Sequence, residues 1–149
     1  MKNFIFFVGL LLFASASVAS EKDLKEFIWT NKVNFHKSSS KTISPVIESL
    51  LELKSVGTEK FLSRWLKKEL WFRKSDGLVV IAKKLEKKSY QIFDVVDEQL
   101  IEVIDKKKIK QIKPNSGVRA IISSALVKFQ LLNADPIIPV SYTHLTLPT

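Results

Sequence analysis

Histidine is the side chain most often used for proton transfer and metal binding near neutral pH, and this chain has two. His36 lies in a polar stretch with no cysteine and no second histidine nearby, and His144 lies close to the end of the chain. A zinc site needs three or four ligands at a recognisable spacing, which is absent here. The sequence therefore predicts no metal ligands and no catalytic histidine.

Paired carboxylates are the next chemistry to consider. Asp94 and Asp97 could act as a general acid and base, but acids between two strands ordinarily serve turn formation and solubility. The sequence also lacks a Gly-x-x-x-x-Gly-Lys phosphate loop, a Gly-x-Ser-x-Gly elbow and a His-Glu-x-x-His pair. We therefore predict a non-enzyme without catalytic, cofactor-binding or metal-binding residues and without a cofactor, and we assign no substrate-binding residue.

Aromatic residues interleaved with cations are typical of surfaces that bind single-stranded nucleic acid. Such a stretch contains Trp65, Trp71 and Phe72 among Arg64, Lys67, Lys68, Arg73 and Lys74. Trp65 nevertheless falls on an apolar helical face, and Phe72 shares a strand face with Leu70, so packing explains both. We therefore favour a core role for these aromatics and predict no nucleic-acid partner.

The formal charge is +9, from 24 basic and 15 acidic residues. Such a charge permits binding to nucleic acid, anionic lipid or cell wall. The lysines are spread over the chain, with local runs at Lys83–Lys84, Lys87–Lys88 and Lys106–Lys108, and this distribution favours a solvated surface. The absence of cysteine excludes disulfides, so an exported location has to be argued from the N-terminus.

The first 19 residues have the organisation of a secretory signal. Met1–Asn3 is cationic, Phe4–Phe13 is apolar, and Ala14–Ala19 consists mainly of small residues. We expect cleavage after Ala19, with Ser20 as the alternative position. An uncleaved anchor helix is less favoured, because the apolar run is shorter than the ~20 residues that span a bilayer.

The other end of the chain reads as translated sequencing-adaptor DNA. We expect Val140–Thr149 to be this artefact, with Pro139 completed by adaptor bases, so that residues 139–149 are foreign and the natural sequence stops at Ile138. A genuine polar tail is the alternative. The expected mature domain is then residues 20–138, and the tail should be unpacked and dispensable for stability.

The first half of this domain has helical periodicity. A short segment over 21–33 is followed by a polar stretch, Asn34–Lys41, that we interpret as a linker. Ser44-Pro45 resembles an N-cap and first helical position, and Gly57 marks the end of that helix. Thr58 is placed to cap a second helix, and together the two predict a helical hairpin.

The periodicity changes to that of strands at Leu70. Strand, Asp-Gly turn and strand are predicted over 70–74, 75–77 and 78–82, and further strands over 90–96 and 100–104. Ile109–Ile112 is a possible edge strand, and Lys83–Ser89 a charged loop. The pattern predicts a small antiparallel meander.

A final helix follows Pro114, capped by Asn115 or Ser116, with Asn133 at its left-handed end and Asp135-Pro136 starting another helix. Ala120, Val127 and Leu131 form a second apolar stripe, which suggests neighbours on two sides. The predicted fold class is α+β, with a HEAT-like helical stack and an inserted meander. One common core is expected to bury Trp65, Leu66, Leu70, Phe72, Val80, Ile92, Ile122, Leu126 and Phe129. In that core, Leu126→Ala should cost roughly 2–5 kcal/mol.

Three segments resemble the N-terminal extracytoplasmic domain of the urea ABC transporter permease, in the branched-chain amino-acid permease family. They are Leu66–Ile81, Asp94–Asp97, and Lys113–Ile122 with Leu131–Pro136. The third is the most specific, because it keeps the spacing of Asn115, Arg119, Leu131, Leu132, Asp135 and Pro136. Gly117 departs from the family, which usually has arginine or a bulky residue there, and lysine replaces much of the family's alanine.

The resemblance implies a periplasmic appendage of a bacterial inner-membrane permease for urea or a short amide. Its implied partners are a second permease subunit, two cytoplasmic ATPase subunits and a periplasmic substrate-binding protein, with the membrane reached through a C-terminal part beyond Ile138. Family pore residues would lie in that part, so none is assigned. The alternatives are a free periplasmic basic interaction module and a secreted enzyme whose site lies outside this sequence.

Overall fold

A computed structural model of the chain describes residues 15–133. Helices and a sheet are segregated along the chain, which confirms the α+β class. The helices are α1 (Ser15–Thr30), α2 (Lys32–His36), α3 (Ser40–Glu52), α4 (Val56–Leu66) and α5 (Ser116–Asn133). The strands are β1 (Leu70–Arg73), β2 (Val79–Lys84), β3 (Ser89–Asp94), β4 (Leu100–Asp105) and β5 (Ile109–Gln111), with a 3-10 helix over Lys106–Lys108.

The predicted linker over Asn34–Lys41 is wrong, because most of this stretch belongs to two helices. Phe35 is fully buried, and its ring centroid lies 5.2 Å from that of Phe61 and 5.3 Å from that of Trp65. This one aromatic anchors an otherwise polar segment. The predicted cleavage position after Ala19 lies within α1, and most of the predicted signal lies outside the described residues.

The predicted boundaries of α3 and α4 are also wrong. Ser39, rather than Ser44, caps α3 through a reciprocal capping box with Thr42, and Pro45 lies inside the helix. Lys54 adopts a left-handed backbone with φ 49° and ends this segment before Gly57 is reached. Thr58 is buried in the first turn of α4 rather than capping it.

The five antiparallel strands follow the order β4-β3-β2-β1-β5. The predicted meander and the added edge strand β5 are therefore confirmed. In a flat sheet the two edge strands would lie about 19 Å apart. The three-residue 3-10 helix that joins β4 to β5 rises only about 6 Å, so the sheet must curl until its two edges approach. The result is a small open barrel in which β4 and β5 are not paired with each other.

The curled sheet divides the core into two clusters, which corrects the single core expected from the sequence. Trp71 pairs with Val80, whereas Leu70 pairs with Ile81 on the opposite face. The barrel interior contains Val80, Tyr90, Ile92, Ile104 and Ile109. The other cluster lies between sheet and helices and includes Trp65, Leu70, Ile122 and Phe129, with Leu66, Phe72 and Leu126 only partly buried against it.

Helix α5 packs on both α3 and α4, so the barrel is inserted between helices that contact each other. Its second apolar stripe, Ala120, Val127 and Leu131, is exposed within the described part of the chain. Asn133 is still helical rather than a left-handed cap, and Asp135-Pro136 and the 139–149 tail lie outside the described residues. Between residues 15 and 133, no helix has both the length and the apolar composition needed to cross a bilayer.

Candidate functional site

Strand pairing brings the separate lysine runs of the sequence together around the 3-10 helix. Because Ser89 pairs with Asp105, the Lys106 N–H donates to the Lys88 carbonyl over 2.8 Å. On the other side, the Lys74 N–H donates to the Lys108 carbonyl, also over 2.8 Å. The resulting surface, here called the lysine cluster, consists of Lys74, Lys84, Lys87, Lys88, Lys106, Lys107 and Lys108.

The lysine cluster keeps a large excess of positive charge, although the exposed acid Glu86 lies between Lys84 and Lys87. Ion pairs between described residues use Lys25, Lys60, Arg64 and Arg73, and none uses a cluster lysine. Asp105 is the nearest acid in sequence to the 3-10 helix, and its Oδ1 accepts from the Lys107 N–H at 2.7 Å, which makes it a cap. The cluster is therefore a concentrated positive surface available to an anion.

An aromatic groove of about 570 Å³ adjoins the lysine cluster at Lys106. The rings of Trp71 and Tyr90 lie in its wall, with centroids 5.4 Å apart. Lys110 and Lys113 add two further cations to the lining. The groove therefore combines apolar ring surface with positive charge, a combination suited to ligand binding.

His36 also lines this groove, where it has a structural contact. Its ring stacks on that of Phe72, with centroids 4.0 Å apart, and burial lowers the pKa of its imidazole below the usual value. Gly77, at φ +75°, passes close to the ring, since a Cβ there would lie 3.0 Å from Cε1 of His36. Among residues 15–133, no group of three His, Cys, Asp or Glu side chains is placed to hold a metal ion.

Asp94 and Asp97 converge on one lysine. The Nζ of Lys25 lies 3.3 Å from Oδ2 of Asp94 and 2.5 Å from Oδ2 of Asp97. The hydrogen bond from Lys25 holds the pKa of Asp97 below its usual range, and Oδ1 of Asp94 accepts from the N–H groups of Val96 and Asp97. These carboxylates therefore build the β3–β4 turn and attach it to α1, in keeping with the interpretation favoured from the sequence.

The same turn is attached to α4 through Glu98, which has a left-handed backbone with φ 59°. Its carboxylate pairs with Lys60 and lies 2.7 Å from Nη2 of Arg64. Hydrogen bonds from Lys60 and Arg64 lower the pKa of Glu98. Arg64 is thus engaged within the fold instead of serving the cation–aromatic surface considered from the sequence.

A third ionic group closes the barrel. Arg73 of β1 makes a two-point contact with Asp76, with Nε–Oδ1 3.0 Å and Nη2–Oδ2 2.7 Å. Its Nη1 also lies 2.5 Å from Oε1 of Glu102 on β4, which two strands separate from β1 in the sheet. The hydrogen bonds from Arg73 lower the pKa of Asp76 to about 2.

Asp76→Asn should therefore show a pH-dependent loss of stability. The folded pKa of Asp76 is about 2 against an ordinary value of 3.8, so its ionic contribution is fully present above pH 3.8. It disappears as the pH falls towards about 2. Because the side chain is 34 % exposed, we discount the shift for solvent screening and expect a cost of about 1 kcal/mol at pH 7.

Urea denaturation of both proteins at neutral and acidic pH measures this difference. The control is Asp23→Asn, since Asp23 is exposed and makes no ion pair with other described residues. A difference between Asp76→Asn and the unchanged protein that persisted undiminished at pH 2 would contradict the ionic explanation.

The structure separates the aromatic residues that the sequence places beside cations. Trp65 is fully buried, whereas Trp71 and Phe72 line the groove. The lysine cluster could not be predicted from the sequence because Lys88 and Lys106 lie 18 positions apart. Only the pairing of Ser89 with Asp105 reveals their convergence.

Comparison with known proteins assigns no family or function to the chain. No protein-family model, no curated protein and no solved structure matches the chain.

Proposed function

We propose that this chain is the periplasmic N-terminal region of an ABC permease for urea or a related short amide. The segments that resemble that family carry the proposal, and they coincide with residues that build the fold. Leu66–Ile81 supplies the end of α4, strand β1, the Asp-Gly turn and the first half of β2. A family that shares this domain would need these residues for the same structural reasons.

The turn within the first segment supports this argument. Asp76 fixes it by binding Arg73 and by accepting from the Leu78 N–H at 3.1 Å, while Gly77 supplies the positive φ. An Asp-Gly pair preceded by arginine is thus a requirement of the turn and of barrel closure. These contacts explain why this motif would accompany the fold.

The third segment contributes the start of α5. Oδ1 of Asn115 accepts from the Val118 N–H at 2.9 Å, which is an N-cap bond. Val118 and Ile122 are then buried beneath α3 and α4. In contrast, Arg119, Leu131 and Leu132 are exposed in the described chain, where they are free to contact another part of a transporter.

In the proposed role the domain hydrolyses nothing and forms no part of the substrate path. ATP would be hydrolysed by two cytoplasmic subunits, substrate would be delivered by a periplasmic binding protein, and the path would lie between this permease and a second one. The domain would contact the binding protein or the second permease from the periplasmic side of the inner membrane.

A free periplasmic interaction module is the second candidate. The lysine cluster favours it, because a concentrated positive surface can bind an anionic partner without any membrane-spanning part. The uninterrupted gene distinguishes the two candidates: a permease must continue into several apolar segments of about 20 residues. A stop codon soon after Pro136 would instead support the free module.

Uptake of labelled urea tests the proposed role directly. In the intact gene, the region equivalent to Ser20–Ile138 is replaced by a short Gly/Ser linker, which keeps the signal and the membrane part. We expect reduced uptake at normal membrane abundance, because a docking contact is lost while the path is kept. Unchanged uptake would refute the docking role, and transport of an unrelated substrate would refute the family assignment.

A further inference from the structure

The tip of the β2–β3 hairpin places an apolar side chain among the cluster lysines. Leu85 is 53 % exposed, and the residues beside it, Lys84, Glu86, Lys87 and Lys88, are exposed as well, so three cations outweigh one acid at the tip. The Leu85 N–H donates to the Ser89 carbonyl at 3.0 Å, which closes the turn and holds the leucine at its end. Leu85 belongs to neither apolar cluster of the described fold.

The 3-10 helix lies beside this tip and carries three more exposed lysines, Lys106–Lys108. It is connected to the tip by the bond between Lys106 and Lys88, and to the β1–β2 turn by Lys74, whose Nζ donates to the Lys107 carbonyl at 2.7 Å. Backbone bonds therefore hold the lysines and Leu85 in one surface, although they come from three separate turns.

We propose that this surface binds the anionic lipid headgroups of a membrane, with Leu85 entering the boundary between headgroups and acyl chains. Lysine is a compact point charge on a long apolar stem, so it can reach headgroup phosphates while its stem covers apolar surface. Several lysines around an apolar residue are the features that drive interfacial membrane binding.

The composition of the surface distinguishes a membrane from a nucleic acid. Single-stranded nucleic acid is bound by aromatic rings that stack on bases, and arginine is the residue suited to two-point phosphate contacts. The lysine cluster contains no arginine, and its exposed apolar residue is a leucine. In the adjoining groove Trp71 is only partly exposed and Tyr90 is buried, so neither ring offers an open face for stacking. A fluid anionic surface requires only many point charges and an apolar residue able to insert.

The inference does not depend on the proposed transport role. A permease appendage would use this surface to lie against the bilayer, and a free periplasmic module would use it to reach the bilayer. Vesicle binding tests the surface and urea uptake tests the transporter assignment, so failure of one is distinguishable from failure of the other.

The test is cosedimentation of the full chain with vesicles of phosphatidylcholine alone or mixed equally with phosphatidylglycerol. The cluster variant changes four exposed lysines whose side chains form no hydrogen bond or ion pair with other described residues: Lys87→Gln, Lys88→Gln, Lys106→Gln and Lys108→Gln. The control changes four exposed lysines elsewhere: Lys22→Gln, Lys41→Gln, Lys67→Gln and Lys128→Gln. Both variants keep the same N-terminal apolar segment and the same net charge.

We expect the partition coefficient for the mixed vesicles to fall on the order of 100-fold in the cluster variant, and much less in the control. Leu85→Ser should weaken binding severalfold without changing the charge. Added salt should weaken binding of the unchanged chain. Circular dichroism confirms that each variant is folded; if the cluster variant were not, Leu85→Ser and the salt dependence would still test the surface.

Three outcomes would overturn the proposal. The first is equal weakening in the cluster and control variants, which would reduce the effect to net charge. The second is displacement from vesicles by millimolar glycerol phosphate, which would indicate a discrete phosphate site. The third is cluster-dependent binding of a single-stranded oligonucleotide that is tighter than binding of the mixed vesicles.

Discussion

Trp65→Ala should lower the free energy of unfolding by about 3–5 kcal/mol, as large-to-small changes of buried aromatics do. Trp65 is fully buried at the junction of α4 with α2, and its ring meets that of Phe35 edge to face at 5.3 Å. Truncation would remove this contact and leave a cavity beneath the helices. Because Phe35 anchors α2, we expect the loss to reach that helix as well.

Trp29→Ala is the matched control. Trp29 is 45 % exposed and makes a cation–π contact with Lys32, whose Nζ lies 3.2 Å from the ring centroid. An exposed cation–π contact contributes about 0.5–1 kcal/mol, so this variant should lose no more than that. Urea denaturation followed by far-ultraviolet circular dichroism measures both without relying on tryptophan fluorescence. Similar losses in the two variants would contradict the assignment of Trp65 to the core.

The sheet could be predicted from the sequence because its signals are local. Alternating residues over 70–74, the Asp-Gly turn and the β-branched residues after Gly77 each specify a strand or a turn without reference to the rest of the chain. The predicted strands consequently differ from β1 to β5 by no more than two residues at either end. The Arg73–Asp76 contact could have been anticipated from the same turn.

The helix boundaries were harder to predict from the sequence, because competing helix-start signals are of similar strength. Ser44-Pro45 is a typical helix start, yet the capping box of Ser39 with Thr42 begins α3 earlier, and the helix tolerates Pro45. The polar residues around Phe35 resemble a linker until Phe61 and Trp65 are placed next to it. Only tertiary contacts could show that this stretch is helical.

The lysine cluster and the division of the core depend on barrel closure, which no local pattern specifies. Val79, Val80 and Ile81 are all buried, so alternation alone does not assign them to faces of β2. The convergence of Lys88, Lys106 and Lys74 likewise follows from curling of the sheet around the 3-10 helix. The lysine cluster was therefore not predicted from the sequence, although the sequence contains all of its residues.

In helix α5, the burial of individual side chains could likewise not be predicted from the sequence pattern. Its apolar positions follow helical spacing, but spacing does not reveal how far the helix is rotated towards its neighbours. Ile122 is fully buried against the helical core, whereas Leu126 is only partly buried against it. Val127, on the second stripe, is 57 % exposed. Burial thus decreases from Ile122 to Leu126 to Val127 on the same helix.

Ile122→Ala should therefore cost about 2–5 kcal/mol, which is the range that the sequence alone assigned to Leu126. Leu126→Ala should cost less, about 1–2 kcal/mol, because part of its surface is already in water and the vacated space opens to solvent instead of leaving a closed cavity. Val127→Ala should stay within about 0.5 kcal/mol of the unchanged chain. Chemical denaturation of the three variants gives the order directly. A cost at Leu126 equal to that at Ile122 would mean either that α5 is rotated from the orientation described or that its exposed stripe is covered by another copy of the chain. Repeating the measurement at a tenfold lower protein concentration separates these two explanations, since only the second depends on concentration.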